Sequence, residues 1–160
     1  MNWSSEFIRR IPKTDLHLHL DGSLRLETML ELADELGVRL PADSPDGLKR
    51  AVFKEHYANL AEYLRGFAVT NAVMTTPEAL ERIARELVED NIAEGVRYCE
   101  IRFAPQLHIN DRMRLADVVR AVARGMTEAR DAFNRSEAVR SGEDLPFEGG
   151  LITCAMRSFH

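Results

Sequence analysis

Hydrophobic and polar positions follow two different periods along this chain, and each change of period predicts a change from strand to helix. Residues 14 to 20 alternate polar and apolar side chains, which is the period of a half-buried strand. From 25 to 36, apolar residues recur at spacings of three and four, and Gly37 then offers a helix end. The pattern near the N-terminus therefore predicts a strand followed by an amphipathic helix that can pack on it.

The same order of elements continues along the rest of the chain. After a loop over 40–46, the pattern predicts two helical pieces within 48–74, a helix over 76–93, a strand over 96–103, a helix over 113–134, a polar surface excursion over 134–150 and a strand over 151–158. Strands joined through helices lie parallel. The sequence thus predicts an α/β fold class: the first three βα units of a TIM (β/α)8 barrel, with parallel strands and intervening helices.

Composition and charge narrow the classes of partner. The 160 residues suffice for one domain, and the net charge of −5 argues against nucleic acid or an anionic membrane as the main partner. No apolar run approaches the roughly 20 residues of a membrane-spanning helix, and the N-terminus shows no secretory signal. Cys99 and Cys154 are expected to be buried, reduced thiols in apolar strands. These features predict a cytoplasmic protein.

The first strand carries the strongest candidate for chemistry, a His-x-His unit. Strict alternation would place Asp15, His17 and His19 on one face, with leucines on the other face against helices. Two imidazoles about 7 Å apart along a strand suit chelation of one divalent metal such as Zn²⁺. The turn residues 21–23 then place them at the C-terminal end of the strand, where barrels carry their chemistry. The spacing alone fits ordinary interior histidines equally well.

Other polar residues in the predicted strands and loops favour structural roles. Glu100 and Arg102 share a face of the second strand, and buried charges persist only when paired, so we expect a structural ion pair there. His108 follows that strand and is expected at the surface. His56, His108 and His160 lie in no ligand motif.

Three stretches resemble the adenosine deaminase family, zinc hydrolases of the amidohydrolase type. The segment 11–24, with its Asp-Gly-Ser continuation after His-x-His, resembles the first strand and turn of that family. The segments 98–107 and 154–157 resemble its second and third strands. The resemblance covers essentially the whole chain but only the first part of the family's fold. It implies that residues 1–160 are the N-terminal part of a single metal-dependent hydrolase barrel.

The resemblance implies zinc-dependent deamination of adenosine or 2′-deoxyadenosine to the inosine product and ammonia, in purine salvage. His17 and His19 would bind the one Zn²⁺ of a complete site, and His19 and Asp21 would contact the ribose of the purine nucleoside. The family's remaining ligands and its proton donor, in a His-Ala-Gly-Glu motif, lie on later strands that this chain lacks. We therefore expect no catalytic residue within the chain, and no activity from the isolated 160 residues.

A helical stripe between the first two strands has two interpretations. The pattern alone is typical of a core stripe, whereas the resemblance implies an apolar substrate gate with tyrosine at its first aromatic position. The stripe consists of Leu60, Tyr63, Leu64 and Phe67.

Two alternatives to a deaminase stay open. One is another amidohydrolase-type metal hydrolase, including an adenine deaminase-like enzyme, which would share His-x-His. The other is a non-catalytic partial barrel that binds a partner. Because part of a barrel leaves unpaired sheet edges, self-association is also expected. We expect the chain to be a fragment of a longer protein, since a complete barrel runs to roughly 250 residues.

Overall fold

The computed structural model describes residues 3–157 and contains seven helices and three strands within that range. The helices are α1 Ser5–Arg10, α2 Leu26–Leu36, α3 Pro45–Ala51, α4 Leu60–Val73, α5 Pro77–Ala93, α6 Leu115–Asn134 and α7 Glu137–Arg140. The strands are β1 Lys13–His19, β2 Val96–Phe103 and β3 Glu148–Thr153. Two 3₁₀ turns, Leu20–Gly22 and Pro105–His108, follow β1 and β2 directly.

The three strands form one parallel sheet in the order β1-β2-β3. Helices α2 to α5 connect β1 to β2, and α6 and α7 connect β2 to β3. This confirms the predicted βα order. Within residues 3–157, β1 and β3 each have one neighbouring strand, and self-association through these edges stays a prediction.

Local residues explain where the helices begin and end. Ser44, Asn59 and Thr76 cap α3, α4 and α5, and each side chain accepts a hydrogen bond from a backbone N–H in the first turn. Thr76 confirms the predicted start of the helix over 76–93, which is α5. Gly37 ends α2 in the left-handed region at φ 66°, a conformation that glycine adopts without strain.

The core lies between one face of the sheet and the helices that cover it. Cys99, Ile101 and Phe103 of β2 are buried on this face, and leucine, isoleucine, valine and methionine side chains of α5 and α6 join the same cluster. Helices α5 and α6 approach closely at Gly125, where an added Cβ would lie 2.0 Å from the backbone oxygen of Glu81. The remaining β2 face carries polar side chains.

The third strand lies earlier in the sequence than the pattern predicted. It begins at Glu148, and Gly149 and Gly150 pair in register with residues of the central strand β2. The low strand propensity of glycine led to the prediction that both residues belong to the surface excursion. Hydrogen bonding to a central strand overrides that propensity. The strand ends at Thr153, so Arg157, which the pattern placed inside the predicted strand, lies beyond it. Residue 158, predicted as part of the strand, lies outside the described residues.

The excursion between α6 and β3 is closed by the side chain of Asn134. Its Nδ2 donates to the carbonyl of Phe147 at 2.9 Å, and its Oδ1 accepts from the N–H of Phe147 at 2.8 Å. Asn134 therefore pairs with Phe147 as a strand residue would. The enclosed residues form the short helix α7 and an ion pair in which Arg97 contacts Asp144 at 2.7 Å.

Two expectations on burial need correction. His108 is 2% exposed rather than at the surface, because the 3₁₀ turn after β2 directs its ring onto Phe103, with ring centroids 6.0 Å apart. Cys99 is buried as predicted, and burial raises its thiol pKa to about 12. Cys154 is only half-buried because it follows the end of β3. Within residues 3–157, no helix combines the length and the apolar character that a membrane crossing requires.

Candidate functional site

The two histidines of the His-x-His unit lie together at the C-terminal end of β1. Their rings stack with centroids 5.3 Å apart and planes 29° from parallel, and both side chains are exposed. The structure therefore brings the two predicted metal ligands side by side. Their role as ligands stays a prediction.

The strand that carries them is irregular, and this corrects one prediction. Pairing with β2 shifts register between Asp15 and Leu18, where an Asp15 carboxylate oxygen accepts a hydrogen bond from the N–H of His17 at 3.1 Å. Asp15 pairs with the buried Cys99, whereas His19 pairs with Arg102 on the polar face. Asp15 and His19 therefore do not share a face, because the two-residue alternation fails at the irregularity.

The leucines of this segment follow the prediction only in part. Leu20 is fully buried and Leu18 packs against the core, as expected for the apolar face. Leu16 is 56% exposed, because it falls within the irregular part of a strand at the edge of the described sheet. Hydrophobicity alone therefore misplaced one of the three leucines.

The predicted ion pair between Glu100 and Arg102 does not form among the described residues. Glu100 accepts a hydrogen bond from the hydroxyl of Tyr98 at 3.1 Å, two residues away on the same face. Arg102 extends toward β1, where its Nη1 lies 2.9 Å from Nε2 of His17. Sequence reasoning therefore missed a contact between Arg102 and a predicted metal ligand. This contact depends on the strand register, which pairs Arg102 with His19 of β1 and so brings it near His17, and the sequence pattern does not fix that register.

Asp21 is a buried carboxylate directly after the two histidines. The side chain is 8% exposed, and its Oδ1 has no hydrogen-bond partner. Burial raises the pKa of Asp21, and the nearest cationic candidate, Nδ1 of His19, is 3.8 Å from Oδ1. A buried polar atom without a partner is unfavourable, so this oxygen is suited to accept a hydrogen bond from a ligand. Its contact with a sugar hydroxyl stays a prediction.

A cleft of about 330 Å³ adjoins Asp21. The side chains that line it are Asp21, Phe53, Lys54, Tyr57, Tyr63, Phe67 and Thr70. The aromatic rings form an edge-to-face series, with centroids 5.2 Å apart for Tyr57 and Tyr63 and 5.7 Å apart for Tyr63 and Phe67. Phe67 in turn lies 6.4 Å from His19, so the aromatic series leads to the histidine pair.

The predicted gate residues of α4 divide into two groups. Tyr63 and Phe67 line the cleft, whereas Leu60 and Leu64 do not. Leu60, Tyr63 and Leu64 are 69%, 46% and 50% exposed, so the interpretation of the stripe as a core stripe is wrong for them. Their function as a substrate gate stays a prediction.

Three cleft residues were missed by sequence reasoning. Phe53, Lys54 and Tyr57 lie on the irregular segment between α3 and α4, which has no helical or strand period. Aromatic content was the only local signal. Their contribution depends on how this segment packs beside Gly66 of α4, where an added Cβ would lie 3.4 Å from Phe53.

The described residues supply part of a metal site. Within 3–157, no group of three or more His, Cys, Asp or Glu side chains is arranged to hold a metal ion. A catalytic zinc takes about three protein ligands and a water, and neutral imidazole is among its preferred ligands. His17 and His19 therefore fit two positions of such a site. Burial lowers the pKa of His108 to about 4, so its ring is uncharged at neutral pH, but it packs on Phe103 away from this pair.

Comparison with known proteins places this geometry in a family. A family model described as "Adenosine deaminase" matches residues 12–158. A curated adenosine deaminase of Mycolicibacterium vanbaalenii is 50% identical over 129 residues, which are 78% of this chain and 35% of that protein. The chain thus spans about a third of the length of this relative.

Solved structures agree with the sequence match. The crystal structure of an Arabidopsis N6-mAMP deaminase superposes with a TM-score of 0.64 at 34% identity, covering 78% of this chain and 36% of that protein. An amidohydrolase from Burkholderia ambifaria with bound Zn superposes with a TM-score of 0.67 over 97% of this chain and 47% of that protein, but at 21% identity it supports the fold alone. The prediction that the chain forms the first βα units of a TIM barrel is confirmed. Because the family model matches nearly the whole chain, the chain belongs to the adenosine deaminase family.

Proposed function

We propose that this chain is the N-terminal part of a zinc-dependent deaminase that converts adenosine or 2′-deoxyadenosine, with water, to the inosine product and ammonia. The observation that carries the proposal is the unpartnered, buried Oδ1 of Asp21 beside the His17–His19 pair. Family membership and the likeness to an N6-mAMP deaminase support deaminase chemistry. A neutral purine nucleoside offers sugar hydroxyl groups, which are the donors that this carboxylate lacks.

His17 and His19 would hold the zinc ion through their imidazole nitrogens. When bound, zinc supplies a nucleophile at neutral pH by lowering the pKa of water toward 7. For His17 to bind metal through Nε2, the Nη1 of Arg102 must leave its present position 2.9 Å away.

The remaining residues of the site would bind and orient the substrate. Asp21 would accept a hydrogen bond from a sugar hydroxyl and thereby fix the sugar beside His19. Tyr63 and Phe67 would cover the cleft and reduce the access of water to it, as the gate assignment predicts. Neither contact moves a proton. As the resemblance implies, the general acid and base would come from the family's later strands, and the isolated 160 residues are expected to be inactive.

The second candidate that the sequence left open is a non-catalytic partial barrel that binds a partner. Within residues 3–157, only two of the roughly three ligands of a catalytic zinc are present. Such a protein would bind zinc weakly and would not turn over adenosine. Another amidohydrolase-type activity, including an adenine deaminase-like one, would retain the histidine pair without needing the sugar contact of Asp21.

The decisive experiment combines the mass, zinc content and activity of the whole protein purified from its source. We expect a mass near twice the 18.1 kDa of this chain, about one zinc per complete site and conversion of adenosine to inosine. His17→Ala should lose zinc and turnover together because one imidazole ligand is removed. His56→Ala is the matched control, since His56 is an exposed histidine elsewhere in the chain.

Three results would contradict the proposal. Full turnover by His17→Ala would exclude the metal role of the histidine pair. A native mass of 18.1 kDa without activity would favour the partial barrel. Preference for adenine over adenosine would favour the adenine deaminase-like alternative. A cytoplasmic location and a role in purine salvage remain predictions that depend on this substrate.

A further inference from the structure

The cleft beside Asp21 contains one lysine, and that lysine is already paired. Lys54 lines the cleft, and its Nζ lies 2.8 Å from Oε1 of Glu62 in the first turn of α4. The other carboxylate oxygen of Glu62 accepts a hydrogen bond from the N–H of Ala58 at 2.7 Å. Both oxygens of Glu62 are therefore engaged, and the carboxylate is held beside Lys54.

The charges around the cleft do not favour an anionic ligand. The hydrogen bonds from Lys54 and Ala58 lower the pKa of Glu62, so this carboxylate is ionised at neutral pH. Lys54 contributes one positive charge, which Glu62 offsets, and Asp21 adds a carboxylate inside the cleft. A phosphate entering the cleft would meet a lysine that keeps its counter-ion and a buried acid without a partner.

We propose that the Lys54–Glu62 pair makes this cleft select nucleosides over nucleoside 5′-phosphates. The inference rests on the proposed function, because it requires the sugar to lie beside Asp21. A phosphate attached to that sugar would then fall in the same cleft as Lys54. Lysine is a common phosphate-binding residue when its charge is available, and here Glu62 withholds that charge. Glu62 is thus a specificity-determining residue that acts through Lys54.

The test measures binding of the two reaction products, inosine and its 5′-phosphate IMP, so that no turnover complicates the titration. Isothermal titration of the whole, zinc-loaded protein should show IMP binding at least about tenfold more weakly than inosine, by repulsion at ordinary ionic strength. Glu62→Gln keeps an oxygen for the N–H of Ala58 but removes the charge. This variant should bind IMP about tenfold more tightly than the unmodified protein, and its affinity for inosine should change by less than about twofold.

Two further variants separate an electrostatic effect from a structural one. Lys54→Gln should bind IMP more weakly than the unmodified protein does. The double variant with Lys54→Gln and Glu62→Gln should lose the tighter IMP binding of Glu62→Gln alone. Glu128→Gln, at an exposed position of α6 away from the cleft, is the matched control and should change neither affinity. The gain from Glu62→Gln should also shrink as salt rises, because salt screens exposed charges.

The outcomes distinguish this inference from the proposed function. Failure of inosine to bind the unmodified protein would overturn the proposed function and, with it, the inference. If inosine binds but IMP binds equally well, or if Glu62→Gln leaves the ratio of the two affinities unchanged, the inference is wrong while the proposed function stands. Should Glu62→Gln fail to fold, Lys54→Gln gives a second decision: it leaves the Glu62 charge without its counter-ion beside the cleft, so IMP affinity should fall while inosine affinity stays the same, and an unchanged IMP affinity would overturn the inference.

Discussion

Replacing Gly125 by alanine should destabilise the protein, although alanine is the better helix former. In a helix interior, alanine is favoured over glycine by about 1 kcal/mol. At this position, however, a Cβ would lie 2.0 Å from the backbone oxygen of Glu81 and 3.0 Å from the backbone nitrogen of Arg85. Backbone atoms of α5 cannot rotate away as a side chain can, so α6 must move outward.

The size of the effect follows from two opposing contributions. Overpacking of a well-packed interface costs about 1–3 kcal/mol, and the 2.0 Å approach to backbone places this site near the upper end, so the cost exceeds the gain of about 1 kcal/mol in helix propensity. We therefore expect Gly125→Ala to lower the free energy of unfolding by about 1–2 kcal/mol and the midpoint of thermal unfolding by a few degrees, about 2–4 °C for each kcal/mol. Ala121 and Ala129, buried one turn away on either side, leave little space for α6 to shift.

Gly66→Ala is the matched control for this substitution. Gly66 also lies inside a helix, but its Cβ would meet a ring atom of Phe53 at 3.4 Å rather than backbone. Urea denaturation of both variants in the whole protein, followed by circular dichroism, should show Gly66→Ala near neutral or stabilised. Equal stabilisation of the two variants would refute the claim that close helix approach decides the outcome at Gly125.

Two further predictions concern buried titratable groups. Burial lowers the pKa of His108 to about 4, so below about pH 6.5 the folded state binds fewer protons than the unfolded state. The free energy of unfolding should therefore fall by up to about 3 kcal/mol as the pH drops from 6.5 toward 4. Urea titrations across this range should show a smaller fall for His108→Phe; an unchanged slope would contradict the assignment. At pH 8, a thiol reagent should label the half-buried Cys154 before Cys99, because burial raises the pKa of the Cys99 thiol to about 12. Mass spectrometry would follow the labelling, and the reverse order would refute the described burial.

Much of the order of the first βα units could be predicted because the signals for it are local. The polar and apolar alternation before His19 and the capping residue Thr76 marked element type without knowledge of the rest of the fold. The start of β3 could not be predicted in this way. Gly149 and Gly150 have low strand propensity, and they are extended because β2 offers them hydrogen-bond partners.

The candidate site was predictable in its residues more than in its contacts. Motif and spacing singled out His17, His19 and Asp21, and the structure brings them to one end of β1. The contact between Arg102 and His17 depends instead on strand register. The burial of His108 likewise depends on how a 3₁₀ turn packs after β2, which no local period encodes.

The pairing of Asn134 with Phe147 has a consequence for how this protein can vary in length. Because one side chain closes the excursion at both backbone groups of Phe147, the position of β3 does not depend on the path of the residues between them. The entropy of closing a loop grows only slowly with its length. Insertions and deletions within 135–146 can therefore accumulate before the N-terminal end of β3, while the opposite end of the sheet, where His19 lies, keeps its geometry.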